Sequence, residues 1–182
     1  MNSTVRTVEI KARTGAAARL RAILGNLNAE FRGTDRQIDT YYDVPRGRLK
    51  LRDGTIEKFL IYYDRDDQPE PKQSDVLLAA VPEPADLRKI LARLYPVFAV
   101  VDKSREIYFI GNVKFHLDEV AGLGSFVEIE AIDRTGDRSP DELREQCLSY
   151  MSLFGIRNED LLAGSYSDML ACISSLGEGS RA

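Results

Sequence analysis

Cysteine and histidine are scarce in this chain: two cysteines, Cys147 and Cys172, and one histidine, His116, in 182 residues. The cysteines have no CxxC spacing and no histidine beside them. Neither a zinc site nor a disulfide framework is expected, and both read as buried thiols on apolar, helix-like stretches. A basic excess is also missing. The formal net charge is −4, which argues against a nucleic-acid-binding face and confines any anion site to a local patch. No apolar run reaches the roughly 18 residues a membrane helix requires, and the opening MNSTVRTVEIKAR lacks an apolar signal core. No membrane association and a cytoplasmic location are therefore expected. There is no Gly/Ser/Pro bias, no linker and no solenoid-length repeat, so residues 1–182 read as one domain with a motif-bearing core of about 5–170.

What is present is a series of short alternating segments. From Val5 to Arg13, Val8, Ile10 and Ala12 fall on one face of a strand and Thr7, Glu9, Lys11 and Arg13 on the other. A helix follows over 16–24, stopped near Gly25. Ile38 to Asp43 reads as a strand, and Arg48-Leu49-Lys50-Leu51-Arg52 alternates base with leucine. The Asp53-Gly54 pair signals a hairpin into a strand over 56–65. Residues 66–72 read as a loop and 74–80 as a strand, and a helix is expected over 85–95. Strands are expected over 97–109 and 112–120, turning at Gly111, with Lys103 and Arg105 on one face and Lys114, His116 and Asp118 on another. Residues 126–132 place Glu128 and Glu130 together. Ser139-Pro140-Asp141-Glu142 is a capping box opening a helix that Gly155 ends, and one more helix covers 165–176.

An ordinary half-exposed sheet also alternates apolar with polar residues, and on any one strand a solvated face is the simpler reading. Here five strands carry sorted charge. If the charged faces converge, Lys11, Arg13, Arg48, Lys50, Arg52, Arg65, Lys103, Arg105 and Lys114 meet Glu9, Asp118, Glu128 and Glu130. Nine bases against four acids would leave a local excess of +5. Burying that many like charges costs several kcal/mol per ion unless a polyanion, metal ions and water fill the space. A triphosphate suits it: Arg forks and Lys point charges grip phosphate, and carboxylates are the hard ligands that Mg²⁺ or Mn²⁺ prefers.

The segments Val8-Glu9-Ile10-Lys11-Ala12-Arg13, Gly47-Arg48-Leu49-Lys50-Leu51-Arg52, Lys103-Ser104-Arg105, Leu117-Asp118-Glu119-Val120 with Gly122-Leu123-Gly124, and Glu128-Ile129-Glu130 resemble, in this order, the motifs of CYTH proteins. These triphosphate tunnel metalloenzymes include class IV adenylate cyclases and thiamine triphosphatases. The resemblance spans roughly residues 5–169 and ends in Ser165-Tyr166-Ser167-Asp168. It implies an α+β fold: a closed eight-stranded antiparallel β-barrel with helices packed outside. It also implies Mg²⁺ or Mn²⁺ on Glu9, Glu128 and Glu130. Triphosphate would be held by Lys11, Arg52, Lys103 and Arg105, with Arg48, Lys50, Arg65 and Lys114 as further candidates. Lys11 and Asp118 would stand at the reacting end. The family's opening motif is commonly E-x-E-x-K, and Thr7 occupies the place of its first glutamate, removing one carboxylate from the metal cluster.

The expectation is an enzyme that cleaves a phosphorus–oxygen bond, with ATP, tripolyphosphate or thiamine triphosphate as substrate. The VEIKAR and GRLKLR stretches lean toward the cyclase, which forms cAMP and pyrophosphate, over a hydrolase. A non-catalytic polyanion sensor would need the bases without the three glutamates. Pairing of two copies is compatible with this reading. His116 is expected as a hydrogen-bond partner of phosphate or carboxylate. Tyr41, Tyr42, Tyr62 and Tyr63 read as packing rather than as a platform for a base.

Overall fold

The structure, a computed structural model, describes residues 4–64 and 71–178. Eight strands, β1 (Thr4–Arg13), β2 (Glu30–Tyr42), β3 (Arg48–Gly54), β4 (Lys58–Asp64), β5 (Lys72–Ala80), β6 (Val97–Ile110), β7 (Val113–Val120) and β8 (Gly124–Asp133), close into a barrel. Its order is β1-β5-β4-β3-β2-β6-β7-β8, with every neighbouring pair antiparallel. The helices are α1 (Ala17–Asn26), α2 (Pro84–Leu94), α3 (Pro140–Phe154) and α4 (Tyr166–Glu178). None of the described helices is long and apolar enough to cross a membrane.

The main hydrophobic core lies outside the barrel. The outward residues Val8, Ile10 and Ala12 of β1, Val113, Phe115 and Leu117 of β7, and Val127, Ile129 and Ala131 of β8 pack with Leu20 and Leu24 of α1 and Leu143, Cys147 and Phe154 of α3. A second cluster joins Leu91 of α2 to Leu51 and Tyr42 on the outer side of β3 and β2. On β1, β3, β7 and β8 the apolar half of the alternation is thus satisfied by helices, which leaves the other half, with its charges, for the interior. Ser139 caps α3 in a full capping box, and Gly155, at φ 67°, ends it.

Three local expectations are corrected. β2 starts at Glu30, well before Ile38, and pairs with β6 across a bulge near Gly33. The β3–β4 turn falls one step later than Asp53-Gly54 suggests, because Gly54 still pairs with Gln37 and the buried Asp35 carboxylate gathers the Thr55 hydroxyl and the Ile56 and Glu57 amides at 2.7–3.0 Å. A Cβ on Gly54 would stand 2.6 Å from the Glu57 carbonyl oxygen and 2.7 Å from Asp35, so glycine is needed there for space. Cys147 is buried, and its thiol is pushed up to about 12 by that burial, but Cys172 is exposed because it faces away from the barrel on α4.

Candidate active site

The inward face of the barrel surrounds a cavity of about 420 Å³. One end of the barrel is filled. The inward residues Tyr41, Val101, Val120 and Phe126, from the strand ends there, pack with Tyr166 of α4, backed by Leu123, Leu162 and Met169. The opposite end, where β1 begins and β8 finishes, carries the exposed Arg134 on the cavity wall.

Period-two alternation brings the expected bases together. Lys11, Lys50, Arg52, Lys103, Arg105 and Lys114 all line the cavity, as do Glu9, Glu128, Glu130 and His116. Two expected bases are elsewhere. Arg13 is exposed, its guanidinium 5.1 Å from the Phe126 ring centre, and Arg48 lies off the cavity with its guanidinium 2.9 Å from Asp168 on α4. Arg65 lies outside the described residues. Asp118 does not line the cavity either. It is buried behind Arg105, which donates to both of its oxygens at 2.7 and 2.5 Å, while the Tyr166 hydroxyl donates to it at 2.8 Å. Of the tyrosines, Tyr41 and Tyr63 reach the cavity, and Tyr42 packs on the outer side.

Two acids were not anticipated. Asp39 is fully buried and accepts from Arg52 at 2.9 and 3.0 Å, Lys103 at 2.6 Å and Lys50 at 3.2 Å. Burial alone would raise its carboxyl, yet Arg52, Lys103 and Lys50 hold it well below the usual range. Glu57, fixed by the Asp35 turn, accepts from Arg52 at 2.7 Å and Lys114 at 2.5 Å, and these two outweigh burial and lower it. The only signal for either residue was its charge: Asp39 shares β2 parity with Tyr41, inside a strand read too short, and Glu57 sits in a turn read one step early.

The expected excess of bases is therefore corrected. Among the described residues seven lining bases, Lys11, Lys50, Arg52, Lys103, Arg105, Lys114 and, at the mouth, Arg134, face six acids: Glu9, Asp39, Glu57, Asp118, Glu128 and Glu130. The physical reason is that an unpaired buried charge costs several kcal/mol, so the interior bases are met by carboxylates. Glu128 is the second hub: it meets Lys11, receives Arg105 at 2.6 Å and lies 2.9 Å from His116 Nδ1. Burial is offset there by Arg105 and Lys11, which hold its carboxyl well below normal. Burial, with Arg105 and Lys114 nearby, pushes His116 down to about 4. The neutral ring donates from Nδ1 to Glu128, leaving Nε2 a buried acceptor without a partner. Burial also lowers Lys103 to about 7 despite Asp39. Lys11 Nζ stands 3.7 Å over the Tyr166 ring at the closed end.

Glu9 and Glu130 are direct cross-strand partners on β1 and β8. Burial and the nearby Glu9, Glu128 and Glu57 raise Glu130 above the usual range, against the pull of Lys114. A carboxyl crowded by other carboxylates fits a divalent cation. Glu128 fits less well while Lys11, Arg105 and His116 occupy it, and among the described residues no three acidic, His or Cys side chains are already gathered to hold a metal ion.

The CYTH domain model matches residues 6–166, and the chain belongs to that family. Among solved structures, proteins from Pyrococcus horikoshii and Pyrococcus furiosus each share 26% identity at TM-score 0.74, covering 89% of this chain and 98% of theirs. A Vibrio parahaemolyticus protein provisionally assigned as an adenylate cyclase shares the fold at 20% identity and TM-score 0.73, covering 91% of this chain and 97% of its own. So does a Hippeastrum protein provisionally assigned as an adenylyl cyclase and described as having a dominant triphosphatase activity, at 12% identity and TM-score 0.62, covering 94% and 96%. No curated protein matches the chain.

Proposed function

We propose that this CYTH protein is a divalent-metal-dependent enzyme that cleaves a phosphorus–oxygen bond of a triphosphate held in the barrel. The convergence of Lys11, Lys50, Arg52, Lys103, Arg105 and Lys114 on one stoppered cavity carries the reading. A purely structural barrel gains nothing from the eight ion pairs between these bases and the interior acids, which apolar residues often replace at no loss.

The bases bind and orient. Arg105, braced by Asp118 from behind, presents a fixed guanidinium, and a phosphate oxygen replaces the Glu128 oxygen it now holds. Lys103 and Arg52 are held by Asp39 beside it, and Lys11 lies against Tyr166. Glu9 and Glu130, with Glu128 once its bases turn to the substrate, would hold Mg²⁺ or Mn²⁺. Bound there, such an ion would supply charge neutralisation at the phosphate oxygens and a more acidic water. His116 Nε2 is available to accept a hydrogen bond from the attacking O–H.

Hydrolysis makes the simpler demand on these residues. A cyclase must also fix the ribose 3′-hydroxyl in line with the α-phosphorus and recognise adenine. The class IV cyclase, toward which the VEIKAR and GRLKLR stretches lean, becomes the second reading for that reason. Purified protein with Mg²⁺ or Mn²⁺ is to be given ATP, tripolyphosphate or thiamine triphosphate in turn, and the products resolved. Orthophosphate marks the hydrolase, and cAMP with pyrophosphate the cyclase. Tight binding without turnover marks a non-catalytic module and overturns the enzyme reading.

A further inference from the structure

The cavity has two kinds of wall. Lys50 and Arg52 of β3, Lys103 and Arg105 of β6, Lys114 and His116 of β7 and Glu128 and Glu130 of β8 make a polar wall, whereas β4 and β5 turn Phe59, Ile61, Val76 and Leu78 inward, joined by Val5 from the start of β1, Phe109 from the end of β6 and Ile132 from the end of β8. On β5 the usual arrangement is reversed: Gln73 and Asp75 face outward and are exposed, while Val76 and Leu78 face the cavity and stay only partly buried. Val5, Phe59, Val76 and Leu78 are all partly exposed despite pointing into the barrel, so they present apolar surface to the cavity, Val5 and Val76 side by side as cross-strand partners.

Position along the barrel sorts the two walls. Lys11 and Glu128 pair next to the Tyr166 stopper, and Lys103, Arg105 and Asp39 are close to them. Val5, Leu78, Phe59 and Ile132 belong to the opposite strand ends, around the open mouth. Phosphates drawn to the deep bases therefore lie near the stopper, and whatever they are attached to lies among apolar side chains at the mouth, beside Arg134. An inorganic polyphosphate has nothing to place there. Apolar surface in a concave site, beside a few polar groups, is what an organic ligand requires.

We infer that the ligand of this site is a phosphoester whose organic part is an uncharged, apolar group of the alkyl or isoprenoid kind, seated against Val5, Phe59, Ile61, Val76, Leu78 and Ile132. The inference rests on the triphosphate reading above and names the substrate class within it. The apolar side chains of the collar offer no hydrogen bond to a nucleobase, and Arg134 stands at the same mouth.

The test is calorimetric titration of the whole chain, with Mg²⁺ present, against tripolyphosphate and the methyl, butyl and octyl esters of triphosphate. Each methylene that enters the collar tightens binding about fourfold, so affinity rises steeply from methyl to butyl ester. In Leu78→Ser the ratio of butyl to methyl affinity falls toward one. If tripolyphosphate binds but affinity does not rise with chain length, the collar proposal is overturned while the triphosphate reading stands. A rise that Leu78→Ser leaves intact also overturns it, since the apolar contact is then elsewhere. If neither tripolyphosphate nor any ester binds, the inference falls together with the reading beneath it.

Discussion

Lys103 Nζ donates to Asp39 at 2.6 Å, and both side chains are shut inside the barrel. Burial still outweighs Asp39 and places Lys103 at about 7, with Arg52, Arg105 and Lys50 adding to the depression. Above pH 7 the free protein thus holds Lys103 partly unprotonated, and an anion entering the site restores the proton. Binding of tripolyphosphate at pH 8.5 should take up close to one proton, and affinity should fall by up to about tenfold per pH unit above 7. Titration calorimetry in buffers of different ionisation enthalpy reads the uptake. Lys103→Arg, which stays charged, should lose this dependence, and its difference from wild type cancels the ligand's own titration.

Asp39→Asn leaves Lys50, Arg52 and Lys103 facing one another without their shared anion. Removing one partner of a buried ionic cluster costs about 3–5 kcal/mol. Denaturant unfolding should show a loss of that order, and tripolyphosphate should restore much of it by refilling the site with negative charge. A variant as stable as wild type without ligand would show that the three bases are not held by Asp39.

Much of this site was legible from period-two alternation, because a closed barrel turns every second residue inward whatever its neighbours do. That rule placed Lys11, Lys50, Arg52, Lys103, Arg105, Lys114, Glu128 and Glu130 correctly on one wall. It has no knowledge of where a barrel ends, so Arg13 and Arg48 were counted although they fall beyond the stopper. Nor does it see groups held by tertiary contacts. Glu57 reaches the cavity because Asp35, more than twenty residues earlier in the chain, collects the turn amides. Asp118 shares parity with Lys114, but its carboxylate is turned to Arg105 and Tyr166 rather than to the cavity.

Glu130→Gln and Glu128→Gln should separate two roles. Glu130 has an acid opposite it and Lys114 nearby, so losing its charge should weaken Mg²⁺ binding roughly tenfold or more while triphosphate affinity is kept or improved. Glu128 positions Lys11, Arg105 and His116 as well, so its amide should lower kcat by a larger factor than it changes metal affinity. Metal titration followed by steady-state rates measures both. Equal effects at the two positions would remove the distinction.

Arg105→Ala should weaken substrate binding and rate together, by about 10–100-fold for a charge-assisted contact made in both ground and transition states. Lys89 and Arg93 on α2 are exposed, and alanine at either should leave kcat/KM within about twofold of wild type. Comparable losses at α2 and β6 would mean that the functional surface lies outside the barrel.

Among the described residues, the plug of Tyr41, Val101, Val120, Phe126 and Tyr166 fills one end of the barrel and leaves the end at Arg134 as the doorway. Traffic through it is last in, first out. When a bond is broken inside, the fragment nearer the mouth must leave before the one resting against Tyr166 can follow, and no new substrate can seat until both have gone. For the triphosphate cleavage proposed above, the inner phosphate fragment would then compete directly with incoming substrate, and the clearing of the blind end would set the pace at high substrate.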